Sequence, residues 1–240
     1  MATRLSLLEP SIKHIIHFSR CVPRSNHLIS SRKKQSCRHH SKAIIVHLYS
    51  FYCLFFSSTA FAATYYLSPT GSDSNNGQST STPWKTFSKA FSSMTGGDEL
   101  ILLDGTYSVA AGTGTINYQG TNSAQPPSGT SLNTPTRIRA QNPGKVSVQD
   151  GLFIGRSFRK DTYIHVNGIT FEGDSSIYNC DYCTVKNCGF HGSFWIGTND
   201  HQMDNQYNLI EDCWVWGSQR RIIAGNYRAN YNVWRRIVVR

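Results

Sequence analysis

The apolar positions in the second half of the chain recur in one repeated order. Each of four segments places an apolar residue, two variable residues, an apolar residue, one variable residue and a third apolar residue. These segments are Val166–Phe171, Val185–Phe190, Ile210–Val215 and Trp234–Val239. Their first residues lie 19, 25 and 24 positions apart. Such a step suits one coil of a solenoid with loops of varying length.

The spacing inside each segment predicts a strand, a sharp turn and a second strand. Apolar residues two apart lie on the same face of a strand, whereas a spacing of three requires the chain to turn at the variable pair. We interpret the pairs as a solvated corner rather than as a functional site. The pairs are Asn167-Gly168, Lys186-Asn187, Glu211-Asp212 and Arg235-Arg236.

A third apolar strand follows each repeat after a polar loop. These strands centre on Ile177, Ile196 and Ile222-Ile223, while Ile138 and Val146 to Val148 indicate an earlier, less regular coil. A leucine-rich repeat would need a denser leucine pattern than this chain has. We therefore predict an all-β fold, a right-handed parallel β-helix with three strands per coil.

The stretch from Tyr65 to Tyr107 predicts a capping module with one short helix. Tyr65 to Leu67 reads as a strand, a helix can begin at Pro83 and end at Gly96-Gly97, and Glu99 to Leu103 reads as a second strand. Apolar residues recur at helical spacing between these limits. They are Trp84, Phe87, Ala90, Phe91 and Met94.

In order and spacing, this stretch resembles the N-terminal cap of the pectate-lyase-like β-helix superfamily. There a strand, a Pro-Trp helix and a strand ending in Gly-Thr-Tyr close the open end of the solenoid. The resemblance implies a carbohydrate-active protein whose polysaccharide substrate lies along the outward face of the coils. We expect the cap to span residues 64–110 and the coils residues 111–240, with further coils beyond Arg240.

The first 63 residues predict a basic extension followed by a signal peptide. A largely apolar run extends from Ile44 to Phe56, and Ala60-Phe61-Ala62 has the small-x-small pattern of a signal-peptidase site. The run is shorter than the roughly 20 apolar residues of a membrane span. We expect cleavage near Ala62 or Ala63, no stable membrane span afterwards, and a secreted or extracellular protein, with the periplasm and the cell surface included.

The length of this extension has three interpretations. We favour a start codon placed too far upstream, and the alternatives are an uncleaved signal anchor and an organellar presequence. The extension holds nine of the 24 Lys and Arg residues and one acid, so it carries +8 of the net charge of +10. The folded part is nearly neutral, which argues against a nucleic-acid partner.

Four of the seven cysteines lie in the predicted coils. Cys180 and Cys183 have the spacing of half a zinc site, but a second such pair is absent from the sequence. Cys188 and Cys213 occupy the same repeat position. We expect all four to pack in the core, and a disulfide or a zinc site is the alternative.

The resemblance implies that substrate binds along one strand of each coil and the loop before it. A polyuronate lyase neutralises a substrate carboxylate and removes a neighbouring proton with a base. Arginine or Ca²⁺ can neutralise the carboxylate, and histidine or arginine can act as the base. The candidate catalytic residues are His191, Arg220 and Arg221. The candidate ligands of Ca²⁺, the one cofactor predicted, are Glu172, Asp174 and Asp200.

Aromatic residues near this face can stack on sugar rings. Trp214 lies between two inward residues, Cys213 and Val215, and should therefore point outward. For each aromatic residue the alternative is an ordinary surface or packing role, as it is for His191 and the arginines. The candidate substrate-binding residues are Trp195, Trp214, Trp216 and Tyr227.

Together these features predict a monomeric polysaccharide lyase that cleaves an anionic, uronate-containing glycan by β-elimination. One alternative is a non-catalytic glycan-binding protein, adhesin or scaffold, because the catalytic motifs of the family are not complete. A glycoside hydrolase on the same fold is the other. It would need two carboxylates about 5 to 9.5 Å apart, for which Glu172 and Asp174 are a weak pair.

Overall fold

A computed structural model describes residues 62–117, 123–155, 159–197, 204–218, 222–225 and 228–240. They belong to one structural unit, Thr59–Arg240. The predicted leader lies outside the described residues except for Ala62 and Ala63. Across the described ranges, no helix is long and apolar enough to cross a membrane.

The described residues form one short helix, α1 (Phe87–Ser93), and a set of short parallel strands grouped into four stacked sheets and one pair. Sheet 1 consists of β1 (Thr64–Leu67), β2 (Glu99–Leu102), β6 (Thr136–Ala140), β10 (Ile164–Asn167), β14 (Thr184–Lys186), β18 (Leu209–Glu211) and β22 (Val233–Arg235). Sheet 2 consists of β3 (Gly105–Tyr107), β7 (Val146–Val148), β11 (Ile169–Phe171), β15 (Gly189–His191), β19 (Trp214–Trp216) and β23 (Val238–Val239).

The two remaining sheets have four strands each. Sheet 3 consists of β8 (Phe153–Ile154), β12 (Ser175–Ile177), β16 (Phe194–Ile196) and β20 (Ile223–Gly225). Sheet 4 consists of β9 (Asp161–Thr162), β13 (Cys180–Asp181), β17 (Asn205–Gln206) and β21 (Ala229–Asn230). The separate pair is β4 (Thr115–Ile116) with β5 (Ser123–Ala124).

The chain visits the four sheets in turn, so that each coil lies on the previous one as in a parallel β-helix. Val166 pairs with Val185, Val185 with Ile210, and Ile210 with Trp234, which confirms the alignment of the four repeats. The prediction of three strands per coil is not confirmed, because the described coils contain a fourth strand in sheet 4. That strand is only two residues long and therefore has no apolar alternation to reveal it. The handedness of the winding stays a prediction.

The inward residues of successive coils form one apolar core. Phe171 stacks on Phe190 with ring centroids 5.5 Å apart, and Phe190 stacks on Phe194 at 4.1 Å. Complete burial of such a side chain stabilises the fold by roughly 1.5–3 kcal/mol. Because like residues repeat at the same position, the core continues unbroken along the axis.

Helix α1 joins this core from the first coil. It begins at Phe87 rather than at Pro83, because Trp84 forms a β-bridge with Leu67 and Thr86 caps the helix. The hydroxyl oxygen of Thr86 accepts a hydrogen bond from the backbone N–H of Lys89, as an N-cap residue should. The buried residues of the helix are Phe87, Ala90 and Phe91.

A column of tyrosines marks the corner where the chain enters sheet 1. Tyr163, Tyr182, Tyr207 and Tyr231 all have positive φ, between 55° and 58°. Their rings stack from coil to coil with centroids 5.3, 5.0 and 5.0 Å apart. A left-handed conformation is costly for a bulky residue, and the ring stack offsets part of that cost.

Buried asparagines satisfy the backbone beside this column. Asn208 Oδ1 accepts from Cys183 N at 2.9 Å, and Asn208 Nδ2 donates to Cys180 O at 3.0 Å. Asn232 repeats the arrangement one coil later by accepting from Asn208 N at 2.9 Å. The asparagines therefore tie each coil to the one before it.

The corner between sheets 1 and 2 is a single left-handed residue, which confirms that the chain turns at the predicted polar pairs. Asn187, Asp212 and Arg236 have φ of 54°, 54° and 53°, and Gly168 has 77°. The prediction of a solvated corner is wrong for Glu211, which is only 2% exposed.

Three cations from neighbouring coils surround Glu211. Lys186 Nζ lies 2.5 Å from one carboxylate oxygen, Arg235 Nε lies 2.6 Å from the other, and Arg236 also contacts it. Hydrogen bonds from Arg235 and Lys186 lower the pKa of Glu211 to about 2, against desolvation by burial, which acts to raise it. Because these cations belong to other coils, no local sequence pattern predicts that Glu211 is buried.

The Glu211→Gln variant should have a lower Tm than the natural protein at neutral pH, because Lys186 and Arg235 would lose their counter-charge. Arg236 would keep its second partner, Asp212. A lowered pKa stabilises the fold fully above the ordinary value of 4.5, and this contribution is lost as the pH falls towards about 2. The difference in Tm, measured by circular dichroism, should therefore shrink over that range. Glu99→Gln is the matched control, since Glu99 pairs with Arg139 alone in the described structure. Equal losses in both variants, independent of pH, would contradict the account.

Candidate functional site

The outward side of sheet 2 carries two rows of side chains at adjacent positions. Register pairs Gly189 with both Thr170 and Trp214 in one row, and His191 with Trp216 in the other. Glu172 follows β11 directly and continues the second row beside His191. The sheet therefore brings together four of the predicted site residues, which are Glu172, His191, Trp214 and Trp216.

Gly189 opens a concavity between these rows. The Trp216 ring lies across it, and a Cβ at this glycine would stand 3.0 Å from the ring and 3.3 Å from Thr170 Oγ1. The cavity holds about 590 Å³ and its wall includes both Trp214 and Trp216. A second cavity of about 490 Å³ lies on the far side of the two tryptophans, towards Arg240. Both volumes are within the range of small-ligand sites.

The two tryptophans differ in what they present to solvent. Trp214 is 52% exposed, which confirms that it points outward. Trp216 is half-buried and stacks on His191 with ring centroids 5.6 Å apart and planes 12° from parallel. An exposed indole beside a concavity offers a flat apolar surface of the kind that suits a sugar ring.

His191 is held between an acid and an aromatic ring. Its Nδ1 lies 3.1 Å from Glu172 Oε2, and its side chain is 53% exposed. When Nδ1 carries the proton it donates to Glu172, and Nε2 is left with a lone pair. The stack on Trp216 fixes the plane of the ring. The histidine is therefore oriented and accessible, as a proton-transfer group must be.

Asp174 has a structural role. Its Oδ1 accepts from the backbone N–H of Ser193 at 2.8 Å and from the Ser193 hydroxyl at 2.9 Å. It thereby secures the turn between sheets 2 and 3 in adjacent coils. Because one oxygen accepts two hydrogen bonds, the carboxylate is committed to this turn.

Trp195 lies on sheet 3 and not with the other tryptophans. It pairs in register with Ser176 and Ala224 and is half-buried. The chain turns between Glu172 and Ser175, so Trp195 lies on the strand that follows the predicted loop, whereas the residues described above lie on sheet 2 or directly after it. Four further predicted residues lie outside the described residues, and they are Arg220, Arg221, Tyr227 and Asp200.

The described carboxylates do not fit a shared Ca²⁺ site as they stand. Glu172 engages His191, Asp174 engages Ser193, and Ca²⁺ needs six to eight oxygen ligands. In the part of the chain that the structure describes, no three His, Cys, Asp or Glu side chains converge on one point. With Asp200 undescribed, the calcium site stays a prediction.

Sequence reasoning missed Gly189, although it forms the floor of the cavity. The equivalent outward positions in neighbouring coils are Thr170, Trp214 and Val238. The aligned repeats do show that Gly189 occupies the position that Trp214 occupies in the following coil. It was informative only once the two rows were known to face outward on one sheet.

The four described cysteines lie in the core as predicted. Cys180, Cys183, Cys188 and Cys213 are free and at most 1% exposed. Burial raises the pKa of the thiols of Cys180 and Cys188, and it raises that of Cys213 to about 11. Thiols in such a setting behave as small apolar groups.

No family model matches the chain, and no curated protein matches it. Among solved structures, a rhamnogalacturonan lyase is similar, with a TM-score of 0.41 and 15% sequence identity. The match covers 69% of this chain, which spans 62% of the length of that one. The assignment of a parallel β-helix accordingly rests on the strand register of this chain.

The buried thiols should resist alkylation in the folded protein. For Cys213, the change in pKa from 9.0 to about 11 lowers the thiolate fraction about 100-fold, and burial slows access further. Peptide mapping after iodoacetamide treatment at pH 8 should find Cys180, Cys183, Cys188 and Cys213 unmodified in buffer and fully modified in guanidinium chloride. Rapid labelling of Cys180 or Cys183 in the folded protein would contradict a core role.

Proposed function

We propose that the protein is a secreted polysaccharide lyase that acts on a uronate-containing glycan, with the sheet 2 face as its glycan-contacting surface on a right-handed β-helix. The supporting observation is the pairing of His191 with Glu172 beside the cavity of Trp214 and Trp216. A proton acceptor next to a sugar-stacking surface is what a lyase requires.

In this proposal, a sugar ring stacks on Trp214 and the neighbouring uronate lies over His191. Nε2 of His191 removes the proton from the carbon next to the uronate carboxylate. The electron pair forms a carbon–carbon double bond, and the glycosidic carbon–oxygen bond breaks. The leaving oxygen takes a proton from water or from a protonated group.

The carboxylate next to the acidic carbon must be neutralised during this step. Arg220 and Arg221 are the proposed neutralising groups, since they belong to the basic stretch that follows β19 in the sequence. Glu172 orients the histidine ring and balances the positive charge that the ring gains. Each of these residues thus has its own role, which a single substitution would test.

A non-catalytic glycan-binding protein is the second candidate. It is favoured by the exposure of Trp214 and by the stack of His191 on Trp216, which could serve only to shape the surface. The hydrolase alternative has less support, because both of its candidate carboxylates are engaged, Glu172 by His191 and Asp174 by Ser193.

The proposal is tested by incubating the full-length protein with polygalacturonate, alginate and glycosaminoglycans, each with and without Ca²⁺. A lyase releases unsaturated ends that absorb in the ultraviolet. His191→Ala should lower the rate by about 10²- to 10⁴-fold, the usual contribution of a general base. Asn230→Ala, at an exposed position of sheet 4, is the matched control and should keep the natural rate.

The outcomes separate the candidates. Reducing ends without ultraviolet absorbance would indicate a hydrolase. Binding without any new chain ends, with binding lost in Trp214→Ala, would indicate a glycan-binding protein. Absence of unsaturated product with every glycan would contradict the lyase.

A further inference from the structure

Sheet 1 presents a second concave surface, separate from the site on sheet 2. Its outward positions form a cavity of about 260 Å³. Most of the polar lining consists of hydrogen-bond donors or cations. These residues are Arg137, Arg139, His165, Asn167, Thr184 and Lys186.

The strand register places these side chains in two adjoining columns. Arg137 pairs with His165, which pairs with Thr184. Arg139 pairs with Asn167, which pairs with Lys186. Because neighbouring strands lie about 4.8 Å apart, donors from three successive coils converge on one small volume.

The acids of this sheet stand at the two ends of the cavity and leave its middle positive. Glu99 binds Arg139 at 2.9 Å, and Glu211 binds Lys186 at 2.5 Å. Arg137 lies on the same strand as Arg139 and opposite Glu99 in register. Its guanidinium nevertheless makes no ion pair or hydrogen bond with any described residue, because Glu99 engages Arg139. A half-buried guanidinium with no partner leaves a strong donor fork unused.

His165 reports the positive charge around it. Burial and the charges of Arg137 and Lys186 lower the pKa of His165 to about 4, so the ring is neutral at pH 7. A neutral imidazole can donate one hydrogen bond to an anion without adding to the local repulsion. The cavity therefore combines a free guanidinium, a neutral donor and the Thr184 hydroxyl.

We propose that this sheet 1 cavity binds the carboxylate or sulfate group of an anionic glycan, with Arg137 as its principal ligand. Guanidinium groups match the paired oxygens of both anions. The anion site stands on its own geometry, whereas the choice of a glycan as its carrier rests on the proposed function.

The sheet 1 cavity and the sheet 2 site adjoin across one corner. Asn167 lines the first and Asn187 lines the second, and Asn187 Nδ2 donates to Asn167 Oδ1 at 2.9 Å. A chain that turns this corner could occupy both surfaces. Glycan binding would then be tightened by a contact outside the sheet 2 site.

The test uses the full-length protein in 0.15 M salt and follows the His165 ring by NMR, with His165→Gln assigning its signals. The probes are trigalacturonate, a sulfated heparin tetrasaccharide, inorganic sulfate and neutral cellotetraose. An anion in the cavity should raise the pKa of His165 from about 4 to about 5 or above, because a nearby negative charge favours the protonated ring.

Variants test which residue is responsible. Arg137→Gln should weaken binding of the effective charged glycan about tenfold or more, as loss of a charge-assisted hydrogen bond does. Lys145→Gln removes the same charge from an exposed position that lines none of the three cavities, and it should bind as the natural protein does. The response of His165 in Trp214→Ala should be unchanged, which separates this site from the sheet 2 site.

A response to trigalacturonate alone would identify the anion as a carboxylate, and one to the heparin tetrasaccharide alone would identify it as a sulfate. A response to both would mean that the cavity binds either a carboxylate or a sulfate. A response to inorganic sulfate without either charged glycan, or equal weakening in Arg137→Gln and Lys145→Gln, would overturn the proposal. No change in the His165 pKa with any probe would overturn it as well. If the natural protein shows no lyase activity but the pKa of His165 still responds to a charged glycan, the proposed function is wrong and the anion site stands.

Discussion

The parallel stacking of each coil on the one before it, residue over residue, is the constraint on which the rest of this structure depends. Backbone hydrogen bonds hold neighbouring coils together only while equivalent residues stay opposite each other. A slip of one residue would turn every inward side chain outward. The left-handed tyrosines and the asparagine beside them oppose such a slip, because Tyr182 stacks on Tyr207 and Asn208 accepts a hydrogen bond from the coil before it.

The same register creates the surfaces on which function is proposed. No single coil contains a site, since each contributes one or two outward residues to a row. His191 gains its partners from the coils on either side, with Glu172 before it and Trp216 after it. Loops of different length can therefore be inserted at other corners without disturbing the rows.

Much of the architecture was predictable because apolar spacing is a local property. The four aligned repeats, the burial of Cys188 and Cys213 and the outward position of Trp214 follow from which residues are two or three apart. The tyrosine column was equally visible, since a tyrosine lies one or two residues before each of the last four strands of sheet 1, but stacked aromatics are not a motif that periodicity detects. The strands of sheet 4 were not predicted either, because two residues are too few to show an apolar alternation.

What remained hidden depends on contacts between coils. The burial of Glu211 is produced by Lys186 from the preceding coil and by Arg235 and Arg236 from the following one. The free guanidinium of Arg137 is recognisable only when Glu99 is seen to pair with Arg139 instead. The division of the predicted site residues between sheets 2 and 3 was hidden as well, because it depends on where the chain turns between sheets.

The glycan is proposed to lie along sheet 2, and a crystal structure of the protein with a bound uronate oligosaccharide would show whether it does. We expect one sugar ring stacked on Trp214 and a uronate carbon within about 3.5 Å of His191 Nε2, the distance of a reactive pair. Sugars bound only to other faces of the solenoid, with Trp214 and His191 untouched, would contradict it.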